Sequence, residues 1–228
     1  MNKRNYQKEL DKLIEGFQAE GRRPRLLVHS CCAPCSSYVM EYLGRYFELT
    51  MFFYNPNMDS RAEYDKRAAE LERLIGELNR KAAEEDADIP DTLQKRSPIR
   101  VIVADYDPEH FEEIAKGHEK DPERGPRCHR CYELRLRKTA EYMRDHKESF
   151  DYFATTLTLS PLKDAEVLND IAVQLAAQYG TPALQTDFKK KNGYKRSIEL
   201  SHEYGLYRQD YCGCRYSKAA REVQKSNI

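Results

Sequence analysis

Apolar residues within 5–20 recur at offsets of three and four (Leu10, Leu13, Ile14, Phe17), which predicts an amphipathic helix. Residues 25–30 (RLLVHS) read as a short buried strand. They run straight into CCAPCSSYVMEYLG, where Pro34 suits a first helical turn and the rest continues as helix. A second strand is expected over 47–54 (FELTMFFY), stopped by the turn-prone Asn55-Pro56-Asn57. Tyr64, Leu71, Leu74, Ile75 and Leu78 predict one long helix across 61–85 with a solvated charged face. A strand at 99–104 then precedes a short helix near 108–117, and the polar loop KGHEKDPERGPR leads into a helix from Cys128 to His146. Residues 151–157 (DYFATTL) predict a fourth strand, followed after Ser160-Pro161 by a helix over 164–179. An extended piece at 183–188 and helical segments near 194–204 and 216–225 complete the chain.

Strands alternating with helices predict an α/β fold, a mainly parallel sheet flanked by helices. The 228 residues suit one large domain, and no internal repeat or low-complexity linker divides them. The expected organisation is an N-terminal helix over 1–23 followed by a single α/β domain over 24–228 with cysteine-bearing helical segments. In open α/β sheets, ligands bind beyond the carboxyl ends of the strands, near a topological switch point. Cys31 and Cys32 fall where the first strand ends and a helix begins. A helix N-terminus carries partial positive charge and favours thiolate over thiol.

Charge changes the picture little. Thirty-eight Lys+Arg balance thirty-eight Asp+Glu, so only local patches can select a charged partner. A hydrophobic content of 40% with 33% charged residues is too apolar for wholesale disorder. No apolar run approaches the ~18 residues that span a bilayer. The polar start MNKRNYQKELDKL has no signal-peptide core. These features predict a cytoplasmic protein with no membrane partner.

The seven cysteines change it most. They form three tight groups, Cys31/Cys32/Cys35, Cys128/Cys131 and Cys212/Cys214. An odd count in a long chain without an export signal argues against a disulfide framework and for metal ligands or redox thiols. Adjacent cysteines on a regular strand face opposite ways, but a strand-to-helix turn lets both sulfurs converge. The bland alternative is that they are small buried hydrophobes. C-x-x-C at 128–131 puts two sulfurs on one helix face and suits zinc, iron–sulfur or thiol–disulfide work alike. In C-G-C at 212–214 both sulfurs point to one side, and Gly213 permits an unusual turn. A disulfide there closes a very short ring, strained and readily reduced, which fits a catalytic pair; two further metal ligands are the alternative. The first two groups together supply enough sulfurs for a four-thiolate centre with one left over.

The segments HSCCAPC, FFYNPN, RCHRCYELRL, TTLTLSP and YRQDYCGCRYS occur in an order that resembles the epoxyqueuosine reductase QueH family, over about residues 24–218. The N-terminal helix lies outside that stretch. The resemblance implies a Rossmann-like/HUP-like iron–sulfur reductase domain. It implies a two-electron deoxygenation of epoxyqueuosine to queuosine at the wobble position of a tRNA. It further implies a [4Fe–4S] cluster on Cys31, Cys32, Cys128 and Cys131, and a redox-active disulfide at Cys212 and Cys214. Cys35 becomes a candidate ligand for a second metal, an adjacent mononuclear iron. The electron donor is not specified.

Removing an epoxide oxygen to leave an alkene consumes two electrons and two protons, whereas one such cluster passes electrons singly. A second store, the Cys212/Cys214 dithiol or an adjacent metal, is therefore useful. His29, Tyr54 and Tyr211 border the motifs as candidate general acids. For the RNA, residues 185–228 hold ten Lys/Arg against five acids and include Lys189, Lys190 and Lys191, while residues 121–147 hold eight against five and include Arg124, Arg127, Arg130 and Arg135. Tyr54, Asn55 and Asn57 are expected to stack on and hydrogen-bond a base splayed from the anticodon loop. Two rivals remain at this point. A tRNA sulfur-transfer enzyme of the ATP-pyrophosphatase type needs a glycine-rich phosphate loop after the first strand, where this chain has HSCCAPCSS. A zinc-stapled RNA-binding module predicts a colourless protein.

Overall fold

The structure, a computed structural model, describes residues 4–86 and 95–226. The first three residues of the N-terminal segment and the last two of the basic C-terminal stretch lie outside the described residues. The elements in chain order are α1 (Tyr6–Ala19), β1 (Arg25–Ser30), α2 (Ala33–Leu43), β2 (Glu48–Phe53), α3 (Arg61–Glu85), β3 (Arg100–Val103), α4 (Pro108–Ala115), α5 (Pro126–Asp145), β4 (Tyr152–Thr155), α6 (Ala165–Tyr179), α7 (Gly193–Glu203) and α8 (Arg215–Ser226). Short 3-10 turns lie at Lys147–Ser149 and Thr156–Leu159. The strands form a parallel sheet in the order β3-β2-β1-β4.

Alternate strand residues face opposite sides of a sheet, and here both sides are covered. Leu26, Val28, Leu49, Met51 and Phe53 enter one core, while Leu27, Phe52 and Phe153 enter the other. That is why β1 and β2 are nearly continuous apolar runs. The N-terminal helix is part of the first core, since Leu10, Ile14 and Phe17 of α1 pack there with α2 and α3. No helix among the described residues is long and apolar enough to cross a membrane.

The chain steps outward from β1 to β2 to β3 and then returns to the other side of β1 as β4. The order therefore reverses between β1 and β4, the position where such sheets open a crevice. The fourth strand is shorter than the sequence pattern suggests, and the extended piece after α6 joins the sheet at one point. The fourth stops at Thr155, whose hydroxyl accepts the Leu157 N–H and starts the 3-10 turn. The extended piece at 183–188 makes a single bridge, Ala183 to Phe153. Beyond it, the Asn169 side chain of α6 binds both backbone groups of Thr186 and takes the place of a ladder.

The starts of β1 and β4 are tied by charge. The Asp151 carboxylate accepts the backbone N–H of Arg25 at 2.8 Å and pairs with its guanidinium at 3.1 Å. The Arg25 hydrogen bonds hold the Asp151 carboxyl below its ordinary range. A lowered folded-state value means that this contribution is present above the ordinary carboxylate range and is lost as pH falls through the folded value. Asp151→Asn is expected to cost about 1 kcal/mol near neutral pH, discounted for partial exposure. In urea titrations the gap between variant and wild type closes in acid.

Candidate metal and redox centre

β1 delivers Cys31 and Cys32 to the carboxyl edge of the sheet, directly at the β1/β4 reversal. Cys32 is the N-cap of α2 in extended conformation, and Pro34 sits in the first turn. The turn brings the two sulfurs to 3.8 Å, and the sulfurs of Cys31, Cys32 and Cys35 all lie within 4.8 Å of one another. Metal–sulfur bonds of about 2.3 Å place tetrahedral sulfurs roughly 3.8 Å apart, so this group is spaced for metal. Thr156, just after β4, accepts the Cys31 N–H at 3.2 Å and donates its hydroxyl to the Cys31 sulfur at 3.4 Å. Hydrogen bonds from Cys32 and Cys35 hold the Cys31 thiol well below its ordinary value, with Lys163 and Thr156 adding to them. The resulting negative charge pushes Cys32 up to about 12 and Cys35 well up. A metal cation bound among these three sulfurs would displace their remaining thiol protons.

The second group lies on α5. Pro126 opens the helix, Cys128 follows in its first turn, and Cys128, Cys131 and Arg135 recur at helical spacing on one face. The backbone N–H of Arg124 donates to the Cys128 sulfur at 3.3 Å. Burial pushes the Cys131 thiol up to about 12 and raises Cys128 as well.

The third group starts α8. The Ser217 N–H donates to the Cys214 sulfur at 3.5 Å, so Cys214 stands at the helix N-terminus, while the Ser217 hydroxyl accepts the Cys212 N–H at 3.1 Å. Gly213 has φ +116°, and a Cβ there would meet Arg67 Nη1 at 3.2 Å. The unusual turn that glycine permits is used. All seven cysteines are free thiols.

The three groups converge on two adjoining cavities. The larger, about 590 Å³, is lined by Cys31, Cys32, Cys35 and Cys212; the smaller, about 270 Å³, by Cys128, Cys131, Cys212 and Cys214. Cys212 and Arg135 line both. Arg135 is 1% exposed; its Nε donates to the Cys131 carbonyl at 3.2 Å, while its Nη2 is buried without a partner. Burial opposes its charge, yet Cys131, Cys212 and Cys31 together outweigh that penalty and raise it. Lys163 behaves alike, its ammonium held up against burial by Cys212 and Cys31. Arg67 completes the cationic lining beside Cys32. Soft sulfur donors, cations in the cavity lining to offset thiolate charge and a buried Arg135 N–H without a partner together fit a thiolate-bound iron group.

Several expected roles change. His29 is 0% exposed, with Nδ1 on Thr155 Oγ1 and Nε2 on the Tyr54 carbonyl, and burial pushes it down to about 3. It is a neutral strut between strands, with no free nitrogen for substrate. Tyr54 packs in the second core with its hydroxyl on Asp107, and Asn55 donates to the Ser30 carbonyl. Both are buried and line neither cavity, whereas Asn57, also buried, lines the smaller cavity with its Oδ1 unpartnered. Tyr211 alone of the three candidate acids lines the larger cavity.

Arg127 is likewise buried. It donates to the carbonyls of His118 and Glu119 and stacks on Tyr216, so it holds the loop before α5 rather than an outside phosphate. Lys189 turns inward to the Thr158 carbonyl and Asp187, and Lys190 is exposed; neither lines a cavity. The counts of basic residues concealed Arg67, Arg135 and Lys163, which surround the sulfurs. Lys163 follows the TTLTLSP segment, so its place in the chain was the available signal.

Comparison with known proteins supplies the family. The family model described as epoxyqueuosine reductase QueH matches residues 26–220. The epoxyqueuosine reductase QueH of Staphylococcus epidermidis is 38% identical over 98% of this chain and 89% of its own, an alignment that takes in α1. The one from Streptococcus pyogenes serotype M1 is 38% identical over 93% of this chain and 78% of its own. The protein of that name from Thermotoga maritima is 28% identical over 89% of this chain and 95% of its own. With its cysteine groups gathered at the sheet's switch point, this chain belongs to the epoxyqueuosine reductase QueH family and is an oxidoreductase.

Proposed function

We propose that this chain reduces epoxyqueuosine in the wobble position of tRNA to queuosine. The observation that carries the reading is the meeting of all three cysteine groups around Arg135 at the β1/β4 edge. Cys31, Cys32, Cys128 and Cys131 are the residues we assign to a [4Fe–4S] cluster, and Cys35 to an adjacent mononuclear iron. When bound, the cluster supplies electrons one at a time.

The remaining work falls to the chain's own side chains. Oxidation of the Cys212/Cys214 dithiol to a disulfide releases two electrons and two protons. That matches one epoxide oxygen leaving as water with an alkene left behind. Cys212 lines both cavities, so the pair borders the substrate space and the second thiol group. The Lys163 ammonium, half-buried in the lining of the larger cavity, stabilises negative charge on the departing oxygen. Thr156 orients the Cys31 sulfur, and loss of such an outer partner typically costs ~10–100-fold. An outside electron donor must re-reduce the pair.

Anaerobic protein incubated with epoxyqueuosine-containing tRNA and dithionite is expected to yield queuosine, read by nucleoside mass spectrometry as the loss of one oxygen. Intact epoxyqueuosine from iron-replete protein would overturn the reading. A colourless protein with one zinc per chain would favour a stapled RNA-binding module.

A further inference from the structure

The larger cavity carries two exposed hydrophobic side chains in its lining. Leu162 is 55% exposed and Tyr194 38%, and both line that cavity. Tyr194 is presented by a deliberately shaped corner. Lys191 and Asn192 both adopt left-handed backbone, with φ +52° and +60°, conformations that persist only where surrounding structure imposes them. Gly193 follows, and a Cβ there would lie 2.0 Å from the Phe188 carbonyl oxygen and 2.5 Å from the Tyr38 ring. The chain thus accepts strain at two residues and excludes every side chain at a third, and Tyr194 is what that corner holds out. Arg208 also lines the cavity and is exposed; its Nη1 reaches only the Ser201 hydroxyl, and it forms no ion pair among the described residues.

An exposed ring and an unpaired guanidinium lining one cavity offer the chemistry of single-stranded RNA recognition, where bases stack on aromatic faces and cations take phosphates. We propose that Tyr194, with Leu162 exposed on the same cavity, is the stacking lip for a nucleotide splayed from the anticodon loop, and that Arg208 takes a phosphate of the same strand. This rests on the tRNA reading above and specifies where it is carried out. It also assigns the base contact that Tyr54 and Asn55, buried and outside both cavities, do not make.

The test compares wild-type and variant holoenzymes for binding of an epoxyqueuosine-containing anticodon stem-loop, by fluorescence anisotropy, and for turnover of the whole tRNA with dithionite. Tyr194→Ala is expected to raise Kd and KM roughly ten- to hundredfold at unchanged kcat and iron content. Tyr194→Phe, which keeps the ring, restores both. Arg208→Gln lowers the slope of log affinity against log salt by about one. Wild-type Kd in Tyr194→Ala overturns the stacking lip, as does a Tyr194→Phe variant as weak as alanine; an unchanged salt slope removes Arg208. Because binding is read without chemistry, a wild type that binds the stem-loop but leaves epoxyqueuosine intact refutes the enzymatic reading and leaves the lip standing.

Discussion

Serine at Cys31 or Cys128 is expected to remove the visible absorbance of anaerobically prepared protein together with its turnover. Serine at Cys212 is expected to leave the absorbance in place and stop turnover. The two outcomes differ because the residues occupy different positions around Arg135. Cys31 is the thiolate of a three-sulfur group and is oriented by Thr156 from two directions, whereas Cys212 stands in the wall shared by both cavities. With Cys31 a ligand as proposed, its loss costs more than the ~10–100-fold that follows loss of an outer partner, so Cys31→Ser should fall well below Thr156→Val in activity. Iron content and visible spectra of the purified variants, measured beside single-turnover assays, check this. A colourless Cys212→Ser protein would make that residue a ligand and remove it as an electron store.

Gly193→Ala is expected to destabilise the protein by about 3 kcal/mol, the upper end of overpacking costs, because the atom it meets is backbone. The added methyl would sit 2.0 Å from the Phe188 carbonyl oxygen, which no rotamer change relieves. For a chain of this size that corresponds to a fall in Tm of roughly 6–12 °C. Gly76, with nothing within 4 Å of its Cβ direction and an ordinary helical backbone, is the control: Gly76→Ala should leave Tm unchanged or raise it. Differential scanning calorimetry of the two variants separates the cases, and equal Tm values would show that the corner before α7 yields easily.

Local order was legible for a local reason. Helices show themselves through their own periodicity, and α3 occupies Arg61–Glu85, the span its apolar spacing predicts. β1 and β2 announced themselves as apolar runs, since strands covered on both faces have little room for polar residues. The piece at 183–188 is extended as its composition suggests, and the Asn169 side chain rather than a ladder satisfies the backbone of Thr186.

Chemistry followed the same division. Cysteine spacing is a property of the chain, so three sulfur groups and a strand-to-helix turn beneath the first could be read directly. Charge and exposure are properties of surroundings. Arg127 and Arg135 looked like phosphate contacts when counted, but one braces a loop and the other is sealed among sulfurs. His29 and Tyr54 looked reactive beside their motifs, but folding spends their polar atoms on neighbouring strands and on Asp107. Conversely, Lys163 and Tyr194 carry no motif. They matter only because β4 returns beside β1 and a tight corner turns into α7. Residue order specified the elements and the sulfur donors; which cations face those donors, and which ring meets the solvent, depended on distances that arise when remote segments pack.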